Sequence, residues 1–550
     1  MLWFLRDYPL AAVLLRAATL AFDSLLIGGI VFCTVVLPRS ISSAPVYTRF
    51  CPRALRLLWI GAIGLATVQA IFVVLDTAML MANSGMGVAD LYTANYFLAG
   101  LLFFFSAVIF LLATRLGLPR KPAWLLFVLP LMFATLWTSH GASRLEHQIP
   151  LILLTGLHQL AAALWIGGMP YLWLLISSRS SDNSVEDNEA VRAVRRYSAM
   201  SVASVAILVA AGAAMAWDYT QSWSAVYGTA YGWVLIAKSI MLVVVLVLGA
   251  GNFFLIRGQR FNSSPWLLRI GQFSEAEIGI GFTIILAAAS LTAQPPAVDL
   301  VQNRLTLPEI SARMMPQWPS FSTPSVRALP PVQSMKDAIQ TYALLPDDAK
   351  AANNKIEREW SDYNHHWAGV VVLMAGLLAM LGRWDRARWA RHWPLAFLGL
   401  ALFLFLRADP EAWPLGPRGF WASFYNPEDL QHRLYILLIV SFVAFEWSVQ
   451  LKRLRSSKAA LVFPAVCALG GALLLTHNHT LGNVKEELLT EISHTAIALF
   501  AVFAGWTRWL ELRGSESTAG GTMRGRRIAA WVWPMCLVCI GLVLLNYREA

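Results

Sequence analysis

Long apolar runs separated by short polar breaks recur along the whole chain, and a helix needs roughly 20 apolar residues to cross the hydrocarbon layer of a bilayer. The pattern predicts fourteen spans, near 14–37, 58–82, 94–114, 122–139, 155–177, 199–217, 233–255, 275–294, 366–382, 393–407, 433–451, 459–477, 492–508 and 528–546. The expected fold class is therefore an all-α polytopic membrane protein. One polar break is far longer than the others: 298–364 carries PQWPSFSTPS and ALPPVQS and then a helical-looking DAIQTYALLPDDAKAANNKIEREW. A loop of that length is commonly functional or flexible. It is read as a periplasmic loop or cap dividing an eight-helix membrane domain, 1–297, from a six-helix one, 365–550. The opening MLWFLRDYPLAAVLLRAATLAFDSLLIGGIVF lacks an obvious small-residue cleavage site and is read as a retained first helix.

Charge orients these spans. One set of alternate loops holds 27 Lys and Arg, whereas the short loops of the other set hold 5. Such an excess marks the cytoplasmic side, so both termini are expected outside. Composition agrees: at 57% hydrophobic and 14% charged residues, the chain is too poor in charge for soluble domains. Its net charge of +11 is accounted for by the cytoplasmic loops and implies no nucleic-acid partner. The 5 cysteines all fall in or beside apolar runs, so no extracellular disulfide framework is expected.

A topology built on Lys and Arg also sorts the histidines. His140, His147, His158, His365, His366, His432, His477, His479 and His494 all fall on the outer side or at the outer end of a span; His392 alone lies inside. Imidazole binds Cu, Zn, Fe and Ni, with softer partners such as Met or Cys helping to select the metal. Two histidines at facing ends of consecutive antiparallel helices can converge on one ion. His140 and His158 have that placement, as do His477 or His479 with His494, and His365, His366 and His432 could complete a second site. The stretch LLLTHNHTLGNVKEELLTEISH echoes the plan of the stretch from Thr138 to His158. Any one of these rings could equally be a headgroup-level polar residue or a helix cap.

Ionisable residues within spans are candidates by default because their burial in lipid is costly. Asp23, Asp76, Glu275 and Glu277, with Met169 three turns along the His158 helix, make a candidate transport path. Lys238 is close enough to a span end to snorkel. Met79, Met81 and Met86 cluster as possible soft ligands or apolar filling. Cys536 and Cys539, within an apolar helix, are read as packing.

The segments SHGAS, LHQLAAALWIGGMP, RRYSAMSVASVAILVAAG, YGTAYGWVLIAKSIMLVVVLVLGAGNFFL and EAEIGIGFTIILAAASLTAQPP resemble, in that order, the core of the bacterial copper resistance D (CopD/PcoD) family. NHHWAG, LQHRLY and LLLTHNHTLGNVKEELL look like the C-terminal extension of longer members. The resemblance implies a multi-pass protein of the bacterial inner membrane that handles periplasmic copper and moves it toward the cytoplasm. It also implies a separate soluble periplasmic copper carrier as partner. No ATPase signature is present, and no enzymatic activity is expected. Two other readings fit the same histidines. One is a b-type haem redox protein using His366, His432, His479 and His494; the other is a non-transporting factor that delivers copper to a periplasmic enzyme.

Overall fold

Each expected apolar stretch is helical where the computed structural model describes it; the described residues are 2–38, 41, 45–84, 94–117, 121–179, 184–258, 265–325, 347–410, 412–424, 427–454, 457–475, 485–514 and 522–549. Among these residues, 12 helices are long and apolar enough to cross a membrane. The apolar helices Pro122–Trp137 and Lys458–Leu474 are shorter. The chain forms two compact units, Met1–Arg304 and Leu305–Ala550.

The first unit runs through α1 (Leu2–Val31), α2 (Pro45–Ser84), α3 (Asn95–Arg115), α4 (Val128–Trp137), the single turn α5 (His140–Ser143), α6 (Gln148–Ala162) and α7 (Met169–Ser177). It continues through α8 (Ser184–Thr220), α9 (Trp223–Tyr227), α10 (Ala230–Gly258) and α11 (Pro265–Thr292). Two helices form its centre: the most apolar windows of α1 and α11 are 67% and 61% buried, against 17% for α8. Lipid-length helices on the rim expose Leu, Ile, Val and Phe, as Val74 and Val247 do, because lipid is as apolar as the interior.

A wide helical turn at Ala163–Gly167 joins α6 to α7. Such turns drop one backbone bond, and in an apolar setting the freed carbonyl needs another donor. The Tyr197 hydroxyl on α8 donates to the Trp165 carbonyl. At the same turn α1 lies backbone to backbone on its neighbour: a Cβ on Gly167 would collide with the Ser24 carbonyl, and one on Gly28 with Gly167 and Ala163. The WIGG sequence thus has a packing role. After α11 the chain folds over the end of this unit, where Arg304 donates to the carbonyls of Leu300 and Ala297.

The second unit holds α12 (Leu307–Met314), α13 (Asp347–Leu381), α14 (Ala396–Phe403), α15 (Phe420–Ser423) and α16 (Pro427–Gln450). It ends with α17 (Ser457–Ala460), α18 (Val462–Leu474), α19 (Lys485–Gly514) and α20 (Thr522–Leu545). Val372, Ala375, Trp393, Phe463, Trp533 and Cys536 form its core, so Cys536 packs among aromatic and aliphatic side chains. Beside that core lies a buried ionic network. Arg508 reaches Glu446 at 2.9 Å and Glu511 at 2.7 Å, Arg383 reaches Glu511 at 2.9 Å, and the Trp533 indole donates to Glu511 at 2.7 Å. Pairing with opposite charges is what makes such groups tolerable away from water.

Candidate metal sites

His140 opens α5, between the apolar helices α4 and α6. Its Nε2 is buried without a hydrogen-bond partner, and its ring meets Tyr219 edge-on at 6.4 Å between centroids. Burial holds the imidazole below its ordinary pKa and the Arg16 charge acts in the same direction, against the carbonyls of Leu291 and Thr292 beside it. A neutral ring is the form that binds metal. His140 helps wall a cavity of about 360 Å³ with Ser143, Arg144, Leu145, Glu146, Pro296 and Asp299. Arg144 spans to Asp299 at 2.8 Å.

The other two histidines of this stretch have different partners. His147 takes a left-handed backbone with φ 53° and places Nδ1 3.1 Å from Asp218 Oδ1, in an exposed position. His158 sets Nδ1 3.0 Å from the Leu208 carbonyl and packs against Gly212, whose missing side chain leaves room for the ring.

Asp23 is buried in α1, where it accepts from the Thr135 hydroxyl at 3.1 Å while its Oδ1 has no partner. Arg16, two turns away on the same helix, donates to the Thr138 hydroxyl and carbonyl at 2.9 and 3.2 Å. Residues 16, 23, 135, 138 and 140 therefore make a polar track leading from inside the unit toward His140. Glu277 is buried and accepts from Asn252 Nδ2, and Glu275 accepts from the Trp173 indole at 3.0 Å. Met169 is buried at the start of α7. Asp76, Met79 and Lys238 are partly buried, and Met81 is exposed. Met86, His477 and His479 lie outside the described residues.

In the second unit the histidines divide by partner. His366 is 5% exposed and has both nitrogens engaged: Nδ1 accepts from the Ser320 N–H at 3.0 Å, and Nε2 donates to the Tyr547 carbonyl at 2.9 Å. His432 Nδ1 lies 2.6 Å from Asp409 Oδ1. His392 accepts from the Trp447 indole at 2.9 Å. His365 donates Nδ1–H to the Ser361 carbonyl at 2.8 Å, stacks on the Tyr547 ring at 3.7 Å, and has the His494 ring 6.3 Å away. Glu549 sits beside them, accepting from Ser361 at 2.7 Å and from the Tyr547 hydroxyl at 2.5 Å. Although burial opposes its charge, those bonds and the neighbouring histidines hold its carboxyl below the ordinary range. Among the described residues no three His, Cys, Asp or Glu side chains are grouped to hold one ion.

Sequence reading missed Arg16, Thr135, Tyr547 and the Arg383–Glu446–Arg508–Glu511 network. A period-3 or period-4 relation between Arg16, Thr19 and Asp23 was the available signal for the first; the rest depend on contacts between distant helices.

These features define an α-helical, multi-pass membrane protein. Residues 191–291 match the family model described as Copper resistance protein D, within the stretch whose motifs resemble that family. Over 173 residues the chain is 33% identical to the Copper transport protein CutJ of Bacillus subtilis (strain 168), a match covering 31% of this chain and 30% of that protein. The aligned stretch thus spans less than a third of that curated relative. No solved structure matches.

Proposed function

We propose that this protein handles copper in the bacterial inner membrane, capturing the ion at its outer face and passing it into the first unit as a transporter for copper homeostasis. The reading takes fourteen spans with both termini outside. The observation that carries it is His140: a buried, unpartnered Nε2 on a ring kept neutral, lodged against the end of α11 where the family-matched segment finishes. Glu146 in the adjoining cavity supplies a carboxylate toward an approaching cation, while Asp299 is paired with Arg144. His147 and His158 stand next in the approach, and Asp23, Asp76, Met169, Glu275 and Glu277 offer polar or soft groups further along. No covalent step is required. Copper is the cargo, delivered by a separate soluble periplasmic carrier.

Two measurements test this. His140→Gln should weaken copper binding by the purified protein at least about tenfold, the scale on which a metal site responds even to loss of an orienting group. Unchanged affinity removes His140 from the site. Sealed vesicles containing the protein should accumulate copper; binding without accumulation would make it a delivery factor instead.

A further inference from the structure

We infer that His365 and His494 form a two-coordinate Cu(I) site in the second unit, roofed by Tyr547. The choice of ion rests on the copper reading above; the geometry rests on the second unit alone.

Metal–imidazole bonds are about 2 Å long, and an imidazole nitrogen lies about 1 Å from its ring centre, so two rings sharing an ion in line have centroids about 6 Å apart. His365 and His494 are 6.3 Å apart, close enough that ring rotation alone can set a nitrogen of each on one ion. The partner of His365 fixes its proton. With Nδ1–H given to the Ser361 carbonyl at 2.8 Å, Nε2 carries the lone pair, which is how metal-binding histidines are oriented. Donor number then selects the ion. Zn²⁺ takes four ligands, whereas Cu(I) is stable with two in line, and this pair offers two imidazole nitrogens.

Tyr547 covers one side of the pair. Its ring lies 3.7 Å from that of His365 at an interplanar angle of 21°, and 5.7 Å from that of His494. The segment carrying it is fastened by groups other than the two ligands. His366 donates to the Tyr547 carbonyl, Ser361 and the Tyr547 hydroxyl donate to Glu549, the Glu549 N–H donates to Asp362, and Arg548 donates to the Met315 carbonyl. The consecutive histidines of NHHWAG thus divide the work: His366 ties the roof down and His365 lies beneath it.

The test is X-ray absorption and copper stoichiometry of the full-length protein loaded with Cu(I) alone under reductant. In H140Q protein, bound copper should include a component with two in-line imidazole nitrogens. The triple variant H140Q/H365Q/H494Q should lose that component and one equivalent of copper. Persistence of either in the folded triple variant, or only three- and four-coordinate copper in H140Q protein, overturns the site. Should the triple variant fail to fold, H494Q alone must lose the equivalent, and its retention overturns the site equally. Y547L should keep the stoichiometry yet release Cu(I) to a competing chelator about tenfold faster, the scale of a lost aromatic contact; unchanged release overturns the roof. Equal affinity in wild-type and H140Q protein would overturn the His140 reading alone.

Discussion

His365 and His366 are adjacent near the middle of α13, and nothing in NHHWAG separates them. Their partners do, because consecutive residues on a helix point about 100° apart. One ring is turned toward α19 and the Tyr547 segment, the other toward backbone at Ser320 and Tyr547. His366→Ala would free the part-buried Ser320 N–H and orphan the buried Tyr547 carbonyl, the latter at roughly 1–3 kcal/mol. We expect a clearly lowered Tm in detergent with unchanged copper stoichiometry; a stoichiometric loss would instead make His366 a ligand. That these histidines sit within or beside apolar stretches was legible in the sequence. Which nitrogen meets which carbonyl was not, since those partners lie 46 and 181 positions away.

At the scale of elements, hydrophobic periodicity located the helices because each must hide its own backbone bonds from lipid. It was blind to the wide turn at Ala163–Gly167, where the sequence stays apolar throughout. The close approach of α1 supplies a sharp prediction. Gly167→Leu must push its side chain into the Ser24 carbonyl, whereas Gly251→Leu, with nothing within 4 Å, meets open space. Size-exclusion profiles should show loss of folded protein for the first and a normal peak for the second. The ionic network gives another. Arg508→Met leaves Glu446 and Glu511 facing each other at the core with less compensation, and breaking such a buried pair costs about 3–5 kcal/mol. Thermal unfolding of the purified variant should show a loss of that order; a small change would mean that water reaches the network.

For the molecule as a whole, the Lys and Arg distribution makes a topological prediction. In a protein stripped of its 5 native cysteines, Asn303→Cys should react with an impermeant maleimide added outside, and Arg388→Cys only after the membrane is opened. The reverse pattern would invert the capture face. A second prediction concerns α12, which Glu309 ties to α19 through Lys485 at 2.7 Å. The bonds from Lys485 and Thr306 pull the Glu309 pKa down to about 2. Its folded pKa is below the unfolded one, so the tie is complete above about pH 4.5 and is lost as pH falls toward 2. Because the pair is exposed, added salt should weaken it too. Hydrogen exchange in α12 should therefore rise in Glu309→Gln protein at neutral pH, and only slightly.

The three rings of the second unit come from positions 365, 494 and 547, and their order in the chain has a consequence during synthesis. A ribosome that has made α13 and α19 has produced both imidazoles but no lid, and copper reaching them then would be open to water and to competing thiols. Only after residue 547 has emerged and seated can an ion held by the proposed pair be covered, so closure of that site must follow synthesis of all three positions.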